Sequence, residues 1–276
     1  MAYSVHRLAP YLDTMHIMCY DYFGAWDKKI GFNAPLENDG ELNVEFSIDY
    51  FLKLGAPAHK LMMGLPFYGR TFITHKDGNI GDDSDEQGFQ GPYTRENGFM
   101  GYNEICSSLS NVSSEWKSNW DVESSEAIAR LKAPTETRVV TYDSTRSIAN
   151  KVRYAIKKGL GGVMVWSIDT DDFQGDCKED INDDRFSDFR TKPQVKLNFP
   201  KSSTKTYPLL RTLNDAIVLS LDEMTQEQNI DLENEIETGG GENDRIKPSK
   251  GEPSGTTTNA SRVSFIFAFL FLLSLY

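Results

Sequence analysis

The chain has 276 residues, 25% charged and 39% hydrophobic, the composition of an ordinary folded protein rather than a fibrous or disordered one. Its formal charge of −12 comes with no basic stripe, which argues against nucleic acid as a partner and leaves neutral polymers open.

Met15 to Tyr20 reads as an apolar strand whose alternation puts Met18 and Tyr20 on one face. A loop from Asp21 to Glu41 follows and carries Trp26. The next segment, Val44 to Leu54, has helical spacing, with Val44, Ile48, Phe51 and Leu52 as its apolar face. Asn43 suits its N-cap, Glu45 its first turn, and Gly55 with Pro57 its end. Leu61 to Leu65 is a second strand, leading to Tyr68 and Arg70 on a shared face. Residues 71–137 break the strand–helix alternation and are mixed, glycine-rich and aromatic. Order returns at Arg138 to Tyr142, followed by a helix from Ser144 to Lys158 with Asp143 as its expected cap and Gly159 as its stop.

Gly161 to Phe173 then reads as a strand covered on both faces, since a near-continuous apolar run after a double glycine is typical of parallel sheets. Met164 and Trp166 share one face of it, and Asp169, Asp171 and Asp172 follow at its C-terminal end, where sites of parallel α/β barrels gather. The three aspartates are read as loop carboxylates bonding backbone amides. Residues 174–206 are polar and irregular, and Tyr207 to Leu221 has the pattern of a last helix. From residue 223 to 262 the chain is acidic, contains Gly239-Gly240-Gly241 and has few large apolar residues, the signature of a disordered linker. Residues 263–276 are apolar apart from Ser264 and Ser274. As a helix they would span roughly 21 Å, short of the ~30 Å hydrocarbon core. A short apolar tail after Ser254-Gly255-Thr256 resembles a lipid-anchor attachment signal, with a tail-anchor helix as the alternative. Residues 1–10 hold no apolar stretch of signal-peptide length. Asn111-Val112-Ser113 and Asn259-Ala260-Ser261 are glycosylation sequons. Cys19, inside a strand, reads as a free buried thiol. No His or Cys cluster has metal-ligand spacing and there is no phosphate loop, so no cofactor is implied.

Several segments together resemble the glycoside hydrolase family 18 chitinases. They are Met18-Cys19-Tyr20-Asp21, Asn33-Ala34-Pro35-Leu36, the run from Met63 to Phe72, the run from Gly98 to Cys106, and the Trp166 strand. The resemblance covers about residues 5–222. It implies an α/β fold, a partial (β/α)8 TIM barrel holding strands six to eight (residues 1–70 and 138–222), with an α+β insertion domain at 71–137. It also implies that Tyr20 orients the acetamido carbonyl of N-acetylglucosamine and that Asp21 hydrogen-bonds beside it. Trp166 would form the floor of the central sugar subsite, lined by Met164, while Met18, Tyr68, Arg70 and Trp26 complete the cleft. A structural ion pair of Asp21 with Arg70, and a core role for Met18, are the bland alternatives. The resemblance further implies a disulfide between Cys106 and Cys177.

The family carries its catalytic acid in an Asp-x-x-Asp-x-Asp-x-Glu run, and no glutamate here has that setting. The acidic stretch Asp82-Asp83-Ser84-Asp85-Glu86 fails because Ser84 and Asn79 stand where aspartates are needed. The expectation is therefore the C-terminal half of a chitinase-like protein, extracellular and membrane-anchored, that meets chitin or chitooligosaccharide without cleaving it. A lectin-like relative or a truncated gene product are the rivals, and the oligomeric state is left open.

Overall fold

A computed structural model of the chain describes residues 3–111, 113–177, 184–200 and 204–239. A short helix α1 (Val5–Leu8) precedes strand β1 (Met15–Ile17), helix α2 (Val44–Lys53) and strand β2 (Leu61–Pro66). Asn43 starts α2 by accepting a hydrogen bond from the Phe46 amide at 2.7 Å, in the extended backbone typical of an N-cap. Gly55 ends it at φ +89°, a left-handed conformation that a glycine adopts without penalty. Val44 and Ile48 of its apolar face are fully buried.

Strands β3 (Tyr68–Thr74) and β4 (Phe99–Gly101), helix α3 (Tyr102–Ser110), and strands β5 (Lys117–Asp121), β6 (Glu126–Lys132) and β7 (Thr137–Tyr142) come next. Helix α4 (Thr145–Lys157), strand β8 (Gly162–Trp166) and helix α5 (Pro208–Gly239) complete the described chain. Two sheets result: a parallel one in the order β1-β2-β8 and an antiparallel one in the order β4-β3-β7-β6-β5. Phe67 joins them, because its amide donates to the Trp166 carbonyl of β8 at 2.8 Å while its own carbonyl accepts from Tyr102 at the start of α3. Its ring is fully buried in the main core with Met63, Leu65 and Ile148.

Four expectations change. Residues 138–142, expected on the barrel side, form β7, paired antiparallel with both β3 and β6. The antiparallel sheet therefore begins at Tyr68 rather than at residue 71, and Tyr68 and Arg70 stand on its first strand. Asp143 does not cap α4; Ser144 does, accepting from the Ser147 amide. Asp143 is instead fully buried and paired at 2.5 Å with the equally buried Lys151, one α4 side chain reaching back to the loop before the helix. Strand β8 is not covered on both faces: its residues are half-buried and Trp166 is exposed, because β8 pairs only with β2 among the described residues.

The fourth change concerns the acidic linker. Helix α5 continues to Gly239 instead of ending near Leu221. Glu223 is fully buried and accepts from Arg153 and Lys157 of α4, and Glu227 pairs with Lys192. These ion pairs carry the helix past its last apolar turn, and the Glu, Gln and Leu residues beyond are good helix formers. Residues 240–262, the Asn259 sequon and the apolar tail 263–276 lie outside the described residues. No helix among the described residues is long and apolar enough to cross a membrane. The chain divides into Met1–Glu233, which holds every strand among the described residues, and Asn234–Tyr276.

Arg153 tests the joint between α4 and α5. Replacing it with methionine leaves Glu223 buried with Lys157 alone at 3.3 Å. Breaking a buried pair from one side should cost about 3 kcal/mol, read as a lower urea midpoint at unchanged m-value.

Candidate functional site

The strands β1, β2 and β8 are parallel, so their C-terminal ends share one rim, and the residues singled out by sequence lie at or just beyond it. Gly64 of β2 sets the first contact: a Cβ there would meet the Ile17 carbonyl at 2.6 Å and the Tyr20 ring at 2.8 Å. The missing side chain is what lets Tyr20 lie down over β2. Its ring edge meets Tyr68, with centroids 6.1 Å apart and planes at 74°. Ala34, Phe99 and Met164 close around this pair.

Asp21 is the polar centre. One oxygen, Oδ1, accepts from the Tyr68 hydroxyl at 2.6 Å and from Nε of Arg70 at 2.8 Å. Charge-assisted bonds of this kind are about twice as strong as neutral ones. Burial pushes the Tyr68 hydroxyl well above ordinary tyrosine, and its bond to the Asp21 carboxylate adds to that. Burial also raises Tyr20, with the Asp21 charge second. Both phenols therefore stay protonated donors at neutral pH. The Arg70 guanidinium lies over three rings, 4.9 Å from Trp26, 5.2 Å from Tyr68 and 5.7 Å from Phe99. Trp26, on a turn at Ala25–Asp27, keeps 53% of its surface exposed.

Asp21 sits at φ +61°, a left-handed backbone uncommon outside glycine. Asn33, fully buried, holds it there: its Oδ1 accepts from the Asp21 amide at 3.0 Å and its Nδ2 donates to the Tyr68 carbonyl at 3.2 Å. Asn33 and Phe99, the latter stacked on Tyr68 at 4.5 Å, both lie within motifs of the family resemblance, which implies no role for either. A motif match was the one signal available for either residue.

Trp166 is 58% exposed, paired in register with Pro66, and shares its strand face with Met164, which packs on the Tyr20–Tyr68 cluster. Its indole is thus presented to solvent at the same rim. Met18 behaves differently from its alternation. Strand β1 stops at Ile17, and the Cys19 amide turns back to the Ile17 carbonyl, so Met18 is 71% exposed while Tyr20 is buried. Its 71% exposure takes Met18 out of the core. The ion-pair alternative for Asp21 and Arg70 is a fact of the geometry, and it leaves the Asp21 side chain 37% exposed.

Asp171 and Asp172 bond backbone amides: Asp171 accepts from Leu209 and Leu210 at the start of α5, and Asp172 from Gly175, Asp176 and Cys177. Asp169 accepts instead from the Ser167 hydroxyl. Cys106 of α3 and Cys177 are joined by a disulfide, with Cα atoms 5.4 Å apart. Cys19 is free and buried, and burial pushes its thiol up to about 11. Asn111 is exposed at the C-terminal end of α3.

A rim of aromatic rings around a hydrogen-bonded carboxylate, on parallel strands joined to an antiparallel sheet, defines an α/β protein with a polar–aromatic surface site. The chain belongs to the Glycosyl hydrolases family 18, whose profile matches residues 1–171. It is 54% identical over 245 residues to probable chitinase 2 of Drosophila melanogaster, covering 86% of this chain and 49% of that protein. Among solved structures, the Ostrinia furnacalis Group IV chitinase in complex with allosamidin matches with a TM-score of 0.64 and 34% identity, over 79% of this chain and 53% of that one. Human YKL-39, described as a pseudo-chitinase with retained chitooligosaccharide binding properties, matches with a TM-score of 0.62 and 29% identity, over 78% of this chain and 53% of that one. The chain thus spans about half the length of these relatives.

The left-handed backbone at Asp21 has a direct test. Asp21→Ala and Asp21→Gly remove the same acceptor, but alanine pays an extra ~1 kcal/mol to hold φ +61°. In urea unfolding Asp21→Gly should be the more stable of the two by about that amount, and equal midpoints would deny the strain.

Proposed function

We propose that this chain carries one side of a chitin-binding cleft and binds β-1,4-linked N-acetylglucosamine chains at the rim of β1, β2 and β8. The observation that carries this reading is the Asp21 carboxylate, bonded by Tyr68 and by an Arg70 that lies over the exposed Trp26 indole, with a second exposed indole, Trp166, at the end of β8. Sugar rings have flat apolar faces and a hydroxyl-rich edge, so they need aromatic platforms beside fixed donors and acceptors. In this reading Trp166 is the floor of the central subsite with Met164 beside it, and Trp26 stacks on a sugar further along. Tyr20 donates to the acetamido carbonyl, and Asp21 accepts from the amide beside it. Arg70 and Tyr68 fix the carboxylate and close the subsite wall. The three parallel strands then correspond to the sixth, seventh and eighth of the family's barrel.

For the longer protein of which this reading makes the chain a part, the reaction is retaining, substrate-assisted hydrolysis of chitin, in which the substrate's acetamide is the nucleophile. That reaction needs a protonated carboxylic acid at the leaving oxygen. No glutamate in this sequence stands in the family's acidic run, so we assign binding without turnover to these residues. The Cys106–Cys177 disulfide and the exposed Asn111 sequon support an extracellular setting. A membrane anchor rests on the tail at 263–276 alone.

Titrating the chain with chitotetraose tests the reading. Saturable binding seen as a change in tryptophan fluorescence is expected, and Trp166→Ala should weaken it about tenfold through the lost stacking surface. Trp26→Ala should lower affinity for the tetramer more than for the dimer. No saturable binding by a folded chain would overturn the proposal, and release of reducing sugar would overturn the assignment of binding without turnover.

A further inference from the structure

We propose that Glu126 is a positioning residue of this sugar site, acting through Asn33 on Asp21 and Tyr68; the inference rests on the reading of those two residues as sugar-binding groups. Glu126 is the first residue of β6, and its side chain is fully buried inside the antiparallel sheet domain. Its Oε1 accepts from the Asn33 amide at 3.1 Å and its Oε2 from the Ala34 amide at 2.9 Å. One carboxylate gripping two consecutive amides fixes the tilt of the peptide between them. Asn33 in turn makes three of the bonds that organise the site: its side chain accepts from the Asp21 amide and donates to the Tyr68 carbonyl, and its own carbonyl accepts from the Tyr22 amide at 3.0 Å. The left-handed backbone of Asp21, and with it the direction of its carboxylate, is set from two residues away in space.

The chemistry explains why a carboxylate stands there. Two N–H donors aimed at one side chain need two acceptor atoms and no donor, which a carboxylate alone among side chains of this length supplies. A glutamine would turn an NH2 group against one of the two amides. Burying the charge costs free energy. Burial drives the Glu126 carboxyl upward, Lys151 pulls it back, and Asp143, from the loop before α4, pushes it up again. A costly group, kept 0% exposed and spent on a loop rather than on its own sheet, is accounted for by what that loop holds. Tolerances at such sites are about half an ångström, so a small turn of the Asn33 peptide is enough to mis-aim Asp21.

The test uses the full chain, isotope-labelled, with chitotetraose as probe. In Glu126→Gln, amide exchange at Asp21, Asn33 and Ala34 should accelerate about tenfold or more relative to the β3–β7 ladder, as one hydrogen bond becomes a clash. The dissociation constant for chitotetraose should rise at least about fivefold at a temperature where the variant is fully folded. Ile148→Val, a core truncation in α4 that removes no hydrogen bond, is the control: it lowers the unfolding midpoint and leaves both readouts unchanged. Glu126→Asp keeps both acceptors on a shorter arm and should fall between wild type and Glu126→Gln; it replaces the latter if that variant does not fold. A Glu126 variant with a lowered midpoint but unaltered affinity and unaltered Asp21 exchange refutes the proposal. If wild type itself fails to bind chitotetraose, the function reading falls. The Asp21 exchange then still decides whether Glu126 sets the loop.

Discussion

The carboxylate of Asp21 is the point at which the two sheets of this protein are tied together. It follows β1 of the parallel sheet, yet its partners, Tyr68 and Arg70, stand on β3 of the antiparallel one. Phe67 provides the covalent turn between the sheets, and Asp21 provides the non-covalent lock across that turn. Without an acceptor at this position a buried phenol and a mostly buried guanidinium would lose their shared partner, and the desolvation cost of such groups is larger than the net worth of the bonds themselves. The lock and the candidate sugar site are the same atoms. That coincidence explains how a rim residue can be both well ordered and chemically available.

A second theme is the use of buried carboxylates to hold irregular chain. Glu126 serves the turn at Asn33 and Ala34, and Glu104 the loop at Tyr93 and Thr94 together with the Gly101 amide. Asp171 serves the start of α5, and Asp172 the turn that leads to Cys177. These segments have no neighbouring strand to satisfy their amides, and unpaired buried amides are not tolerated. Side-chain acceptors take the place of a ladder. Part of the chain's acidity is therefore structural, placed inside rather than spread over the surface.

The parallel sheet is open where the antiparallel sheet is closed. Among the described residues β2 alone has strand neighbours on both sides, and on the outer strand β8 Met164 is half-buried and Trp166 exposed. In the proposed reading, Trp166 and Met164 are the part of this exposed face that meets sugar. Membership of the family follows from the matched profile, whereas what the chain binds is a question for its aromatic rim.

Hydrophobic periodicity and motif matches were enough to locate β1, α2, β2, α4 and β8, to bring out Tyr20, Asp21, Tyr68, Arg70 and Trp166, and to pair Cys106 with Cys177 by resemblance. These are local or near-local signals: an N-cap at Asn43, a glycine at position 55, an aromatic at a strand end. Alternation misread Met18, because a three-residue strand ends before its pattern does. The true length of α5 escaped notice because an acidic run looks the same whether it is solvated or, like Glu223, buried against arginine. The sheet that claims Thr137–Tyr142 pairs residues some seventy positions apart, and the bond from Glu126 to Asn33 spans 93. Spacing along a chain carries no information about such contacts; they exist only once the two sheets have packed and left each buried donor a single acceptor within reach.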